Sequence, residues 1–306
     1  MGNVVVLGSA NADLVVHVER RPGGGETLLG SDLQFFPGGK GANQAAAAAR
    51  SGSQVTFLGA LGADGNGDFL RRSLAEAGVD ASHVRTVDRP TGTALVFLTP
   101  DGENSIVVSP GANMTIDVEA AEAVSELWLG ADILVLNLEL PLATISHVIE
   151  RAHAAGVRVL LNAAPAQVME AGPLAHCDPL VVNEYEARVV LDDPSIPEDA
   201  SFEFLAGKLR ETGAAAVVIT LGADGALVAD AAGITKVPAY KVDAVDTTGA
   251  GDAFVGAMAT ELANGATLAE AVSFATAMSA VAVQRMGAQS SYANRAEVKQ
   301  FIADRA

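Results

Sequence analysis

The sequence predicts an α/β fold: a doubly wound, mostly parallel sheet with helices on both faces. Three observations support this. Short apolar segments alternate with longer amphipathic or Ala-rich ones along most of the chain. The apolar segments have strand length and lack the in–out alternation of a half-exposed sheet, as strands buried on both faces do. Polar residues and glycines gather where these segments end, the edge at which open α/β sheets bind ligands.

In chain order, "NVVVLG", "QVTFLGA", "DILVLNL", "VRVLLNA", "DPLVVN" and "AAVVITLG" read as buried parallel strands. Helical periodicity lies between them, at about 40–51, 66–77, 117–127, 142–155, 184–191 and 202–212. Two long helices follow, at about 250–264 and 267–284, and a last one starts near 294. Two regions break the alternation. These are 13–36, "DLVVHVERRPGGGETLLGSDLQFF", and 92–109, "GTALVFLTPDGENSIVVS". Neither carries a helical pattern, and "TPDGEN" between apolar runs is a hairpin signal. Together they predict a small antiparallel sheet inserted into the α/β body as a lid. Residues 92–98 are apolar on both faces, with Leu95 and Phe97 on one and Ala94, Val96 and Leu98 on the other. One face can cover a ligand. The other needs a partner, and a second copy of the chain is the simplest. No internal repeat or long linker divides the chain, so 1–306 is expected to be one domain.

Composition narrows the function. The chain has 306 residues, half of them hydrophobic and 18% charged, which permits a large core. Nineteen basic residues stand against thirty-seven acidic ones, a net charge of −18, with no basic run. Nucleic acid and anionic membranes are therefore disfavoured as partners. The single cysteine, Cys177, permits no internal disulfide and suits a reducing cytoplasm. No signal peptide and no apolar run of membrane-spanning length is visible.

Several common motifs are absent. There is no G-x-x-x-x-G-K-[ST], no G-x-G-x-x-G after the first strand, no H-E-x-x-H and no G-x-S-x-G elbow. The five histidines are scattered, which disfavours catalytic zinc.

The most informative stretch is "AVDTTGAGDAFVGA", Ala244 to Ala257. Gly249, Ala250 and Gly251 precede Asp252, and an apolar helix follows. Glycines leave main-chain amides uncovered. A helix starting near Ala250 points free N–H groups and the positive end of its dipole outward, which makes an anion site. Two readings stand: a glycine turn before a capped helix, or an anion cradle with a base beside it. Other polar groups also fall at strand ends: Asn11 and Asp13, "FPGGKGANQA" with Lys40 and Asn43, Glu139, Asn183 and Glu186 in "NEYE", and "TLGADG".

The chain resembles the ribokinase family of carbohydrate kinases (the PfkB group) nearly end to end. The resemblance rests on "GSANADLV", "PGGKGANQA", "NLELP", "NEYEA", "TLGADG", "DTTGAGDAFVGA" and "GAQSS". The early "GGKGANQA" and the late "DTTGAGDAF" are specific to that family. It implies a ribokinase-like fold, with a central α/β domain and a β lid, the lids of two subunits clasped in a homodimer. It implies that Asp252 is the catalytic base and that the amides of Gly249, Ala250 and Gly251 form the anion hole. By the same resemblance, Asn11, Asp13, Gly39, Lys40, Asn43 and Glu139 bind the sugar, together with Asp252. Asn183, Thr220, Gly222, Gly225, Gly251 and Thr276 bind ATP. Glu186 acts on Mg²⁺ through water. Asp246, Thr248, Ala282, Arg285, Gly287 and Ser291 match a K⁺ loop. Ala163 and Ser290 stand where the family often has proline, and Thr276 occupies a variable adenine-side position, so nucleotide preference stays open. The expected activity is ATP-dependent phosphorylation of D-ribose at its 5-hydroxyl, in the cytoplasm. The alternatives are 2-deoxyribose, fructose or a nucleoside as acceptor, or a non-catalytic sugar-binding protein.

Overall fold

A computed structural model of the chain describes residues 1–100 and 104–305. Its strands are β1 (Asn3–Leu7), β2 (Asn11–His17), β3 (Gln34–Gly38), β4 (Gln54–Leu58), β5 (Ala60–Gly62), β6 (Arg85–Val87), β7 (Gly92–Leu98), β8 (Asn104–Ser109), β9 (Ile133–Asn137), β10 (Arg158–Asn162), β11 (Leu180–Asn183), β12 (Val217–Thr220), β13 (Ala226–Asp230) and β14 (Gly233–Val237). Its helices are α1 (Lys40–Ser51), α2 (Gly65–Glu76), α3 (Val118–Glu122), α4 (Ser125–Leu129), α5 (Leu142–Ala154), α6 (Ala171–Leu174), α7 (Glu184–Leu191), α8 (Phe202–Glu211), α9 (Ala250–Ala263), α10 (Leu268–Ala282) and α11 (Arg295–Ala303).

Among the described residues, eight strands form the main sheet in the order β14-β13-β12-β11-β10-β9-β1-β4. The pairings from β12 to β4 are parallel, and β13 and β14 add an antiparallel edge. Burial on both faces shows in the period of two. Val4 and Val6 of β1 pack with α1, α9 and α10, whereas Val5 and Leu7 pack with α5 and α8. The β13–β14 hairpin was not expected from the sequence. Its outer strand is largely exposed, so it lacks the apolar run of a buried strand.

Helix boundaries agree with the sequence expectation to within a residue or two, with one exception. The helix expected over 117–127 is divided at Val124 into α3 and α4. Trp128 is fully buried and its indole N–H donates to the Ala121 carbonyl at 3.0 Å. A buried indole needs an acceptor, and the Ala121 carbonyl near the end of α3 supplies it.

The lid is a separate sheet in the order β3-β2-β7-β8. Its outer pairs, β2–β3 and β7–β8, are antiparallel, and they join through a parallel β2–β7 pairing. Residues 101–103, the centre of the expected hairpin turn, lie outside the described residues.

Candidate active site

Helices α1 and α9 pack side by side because their contact residues are small. A Cβ on Gly256 would stand 2.7 Å from the Ala47 Cβ, and the Thr260 hydroxyl donates to the Ala48 carbonyl at 3.0 Å. This close approach sets the first turns of the two helices next to each other. From α1, Asn43 Nδ2 donates to Asp252 Oδ2 and Gln44 Nε2 donates to Asp252 Oδ1, each at 3.0 Å. Gln44 Nε2 also donates to Asn162 Oδ1 at 3.0 Å, at the end of β10. Asp252 is 8% exposed, so these carboxamides fix its orientation while leaving it reachable.

The turn before Asp252 is shaped by glycine. Gly249 has φ 72°, and a Cβ there would meet Ala288 and the Tyr292 hydroxyl, both at 2.6 Å. Its carbonyl accepts from Tyr292 at 3.1 Å and from the Ala253 amide at 2.8 Å. Burial, together with the charges of Asp252 and Asp13, pushes the Tyr292 phenol well above its usual pKa, so it remains a donor. The Ala250 amide is bonded to the Thr247 carbonyl at 3.2 Å. Among the described residues, no protein acceptor takes the amides of Gly249, Gly251 or Asp252. A Cβ on Gly251 would meet no protein atom within 4 Å, so the turn opens onto free space. Of the three residues expected to form an anion hole, Gly249 and Gly251 offer free amides, whereas that of Ala250 is held inside the turn.

That space is a cavity of about 150 Å³ lined by Lys40, Asn183, Glu186, Thr220, Gly251 and Asp252, among others. Burial works against the Lys40 ammonium, but Asp252, Glu139 and Glu186 together hold its pKa above the usual lysine value. Lys40 is therefore a charged cation in a cavity that also holds the carboxylates of Glu186 and Asp252. Asn183 and Glu186 form a capping box at the start of α7, with both bonds at 2.8 Å. Burial raises the Glu186 carboxyl, while the Asn183 amide and Lys40 pull it down. Among the described residues, no cluster of three or more His, Cys, Asp or Glu stands ready to hold a metal. A Mg²⁺ ion bound chiefly by phosphate oxygens and water would suit this donor set, with Glu186 as the carboxylate beside it.

Thr220 and Gly251 also line a larger cleft of about 560 Å³. Of the residues expected on ATP, Asn183 lines the smaller cavity, whereas Gly222, Gly225 and Thr276 lie on the wall of the cleft with Thr220 and Gly251. Ala239, Val242, Phe254, Ala280 and Val283 complete it with apolar surface that suits a flat ring system. These last residues were missed, because single apolar positions in helices and a loop carry no signal of their own.

Of the expected sugar residues, Lys40 lines the polar cavity and Asn43 donates to Asp252. Gly39 caps α1 at φ 85°, where a Cβ would meet the Asn11 amide at 2.6 Å. Glu139 accepts from the Lys40 amide at 3.0 Å and from the Ser9 hydroxyl in a close bond. Asn11 Oδ1 accepts from Asn113 Nδ2 at 2.8 Å. Asp13 lies on lid strand β2. Burial first, and then repulsion by Glu139 and Asp252, pushes its carboxyl up to about 7. Ser9, Gln44, Asn113 and Asn162 support the site and were not singled out from the sequence. Gln44 had a visible signal, as a polar residue heading the buried run "QAAAAA".

The expected K⁺ residues are only partly linked. Asp246 accepts from the Thr248 amide at 2.9 Å and the Gly287 amide at 2.7 Å. Burial would raise its carboxyl, but these bonds and the Thr248 hydroxyl hold it low. The Ala282 carbonyl accepts from the Arg285 amide at 3.0 Å, the Arg285 side chain pairs with Glu297 at 3.3 Å, and Ser291 bonds to Ala288. Both Asp246 oxygens are thus engaged by backbone amides, and the Arg285 side chain turns to Glu297 rather than to Asp246.

Residues 1–295 match the pfkB family carbohydrate kinases. The chain is 39% identical to a ribokinase of Schizosaccharomyces pombe, covering 97% of each, and 37% identical to one of Haemophilus influenzae, covering 98% of each. A ribokinase of Arabidopsis thaliana, solved with ribose and ATP, superposes with a TM-score of 0.91 at 33% identity, covering 98% of each chain. A buried carboxylate beside an open glycine turn, a cation in the cavity and an apolar cleft behind it agree with this likeness along the whole length, and the chain belongs to the pfkB family of carbohydrate kinases.

Proposed function

We propose that the protein transfers the γ-phosphoryl group of ATP to the 5-hydroxyl of D-ribose, giving D-ribose 5-phosphate and ADP. The observation that carries this reading is the position of Asp252 and Gly251 between two compartments. Gly251 lines both the polar cavity and the apolar cleft, and Asp252 faces the polar side. The cleft holds the adenosine, with Asn183, Thr220, Gly222, Gly225 and Thr276 along the nucleotide. The phosphates run toward the free amides of Gly249 and Gly251 and the Lys40 ammonium. Asp252 takes the proton of the sugar hydroxyl as its oxygen attacks the γ-phosphorus. The bond from that phosphorus to the β,γ-bridging oxygen breaks, and ADP leaves with the electron pair. Positioning and charge stabilisation carry most of such a transfer. Mg²⁺ would offset phosphate charge beside Glu186. Asn11, Asp13, Asn43 and Glu139 offer the ring hydroxyls two carboxamides and two carboxylates. The test is ADP release against D-ribose, 2-deoxyribose, fructose and adenosine under one set of conditions. A higher kcat/KM for any of the other three would overturn the ribose assignment.

The family likeness, with "DTT" and "GAQSS", supports K⁺ at the Asp246 loop. The ion's place is to steady the backbone around Gly249 rather than to touch substrate. We expect turnover several-fold higher in K⁺ than in Na⁺. Equal rates in a buffer free of both ions would remove the assignment.

A homodimer joined through the lids is supported by the sheet's cross-strand rows. Phe35, Leu14, Leu95 and Val107 are neighbours on the face turned away from Asp13, with Phe35, Leu95 and Val107 at 53%, 43% and 59% exposure. Exposed apolar rows of this kind bind a partner. Sedimentation at micromolar concentration is expected to give a dimer, and Leu95→Asp a monomer; a wild-type monomer would refute it. A cytoplasmic setting accords with the single buried thiol of Cys177 and with ATP as donor.

A further inference from the structure

The loop between α10 and α11 reaches three parts of the site. Gly287 donates to Asp246 at 2.7 Å, and the Tyr292 hydroxyl donates to Gly249 at 3.1 Å. Between them, Gln289 Nε2 donates to Asn43 Oδ1 at 3.0 Å, and Gln289 Oε1 accepts from the Ser73 hydroxyl at 2.9 Å. Gln289 lines neither the cavity nor the cleft. Its contact with the site runs through Asn43.

The polarity of this chain is constrained. An ionised carboxylate only accepts, so Asn43 presents Nδ2 to Asp252 and Oδ1 to whatever stands behind it. That position needs a donor, and Gln289 Nε2 supplies it. The Ser73 hydroxyl donates to the other end of the Gln289 carboxamide, an arrangement compatible with its nitrogen facing Asn43.

We propose that Gln289 is a positioning residue: it locks the Asn43 carboxamide with its nitrogen on Asp252 and thereby ties the Gly287 loop to the sugar side of the catalytic centre. The inference rests on Asp252 being the base. It gives the loop between α10 and α11 two holds on the reaction, Tyr292 on the glycine turn and Gln289 on the base.

The test compares Gln289→Ala, Gln289→Glu, Asn43→Ala and the double variant Asn43→Ala/Gln289→Ala, by steady-state kinetics with D-ribose and ATP. Gln289→Ala is expected to lower kcat about tenfold, the effect of leaving one polar partner unsatisfied, with the KM for ATP unchanged. Gln289→Glu matches glutamine in shape, yet it is expected to lose more. A carboxylate at that place accepts from Asn43 instead of donating to it, so Asn43 turns and presents its oxygen to Asp252. The same order, Glu below Ala, is expected in ribose affinity by calorimetry, which does not depend on turnover. In the Asn43→Ala background, Gln289→Ala should change kcat by less than about twofold, since the group it holds is gone. If Gln289→Glu is milder than Gln289→Ala, or if the effects of Asn43→Ala and Gln289→Ala multiply, Gln289 does not act through Asn43. The wild-type rate in the same series reports on the kinase reading separately.

Discussion

Replacing Asp252 with asparagine is expected to lower kcat by about 10²- to 10⁴-fold, the usual contribution of a positioned base. The KM for ATP should stay close to wild type, because the cleft walls and the glycine turn are untouched. Ribose affinity should fall no more than about threefold, since Asp252 is one of several polar groups facing the sugar. The fold should survive, with a cost. Asp252 accepts from both Asn43 and Gln44, and asparagine keeps only one acceptor oxygen. One of the two carboxamides must turn or lose its partner, a loss of about 1 kcal/mol. Single-turnover kinetics, ribose calorimetry and thermal unfolding measure the three effects separately. A variant within threefold of wild-type turnover would show that the proton leaves by another route.

Asp13→Asn is expected to act in opposite directions on stability and on function. The Asp13 carboxyl sits at about 7 instead of 3.8, first from burial and then from Glu139 and Asp252. A pKa raised by folding favours the fold below the unfolded value. That advantage is lost as pH rises from about 4 to about 7. Above about 7 the sugar-free protein holds Asp13 ionised at a cost of up to about 4 kcal/mol, since each tenfold change in proton affinity corresponds to about 1.4 kcal/mol. Asparagine removes this cost, so the sugar-free variant should melt several degrees higher at pH 8 and show little difference at pH 4. Function moves the other way. Sugar hydroxyls donate most strongly to a charged acceptor, so ribose affinity should rise with pH through about 7 in the wild type and be flat in Asp13→Asn. kcat/KM for ribose should drop by about 10²-fold, the loss of a hydrogen bond to a charged group. A variant that is less stable at pH 8, or a wild type whose ribose affinity ignores pH between 6 and 8, would refute this account.

The main sheet was legible because each of its parallel strands is an apolar run, and the α1 and α9 boundaries were legible because glycines precede both helices. The β13–β14 edge was not: β13 is a short buried apolar run, but its partner β14 is exposed and carries none, so no pair of runs marked a hairpin. The parallel β2–β7 pairing was hidden too, because the sequence between the two strands does not say which edges meet. Of the site, the polar groups at strand ends stood out against apolar surroundings. The groups that hold them did not. Asn113 behind Asn11, Asn162 behind Gln44 and Gln289 behind Asn43 are ordinary polar residues until packing buries them.

By itself, the sequence determined the α/β class, the lid, the carbohydrate kinase family and the carboxylate beside the glycine turn. Periodicity, composition and contiguous motifs are local properties, and local properties are written in chain order. Only the tertiary structure decided that Asn43 and Gln44 grip Asp252 from more than 200 positions away, as the small contact residues of α1 and α9 allow. It alone decided which amides of the turn are free, since that depends on the Thr247 carbonyl taking the Ala250 amide. It also made Asp13 a group that titrates near 7. Hydrogen-bond partners and desolvation depend on which distant segments come into contact, and no run of residues encodes that alone.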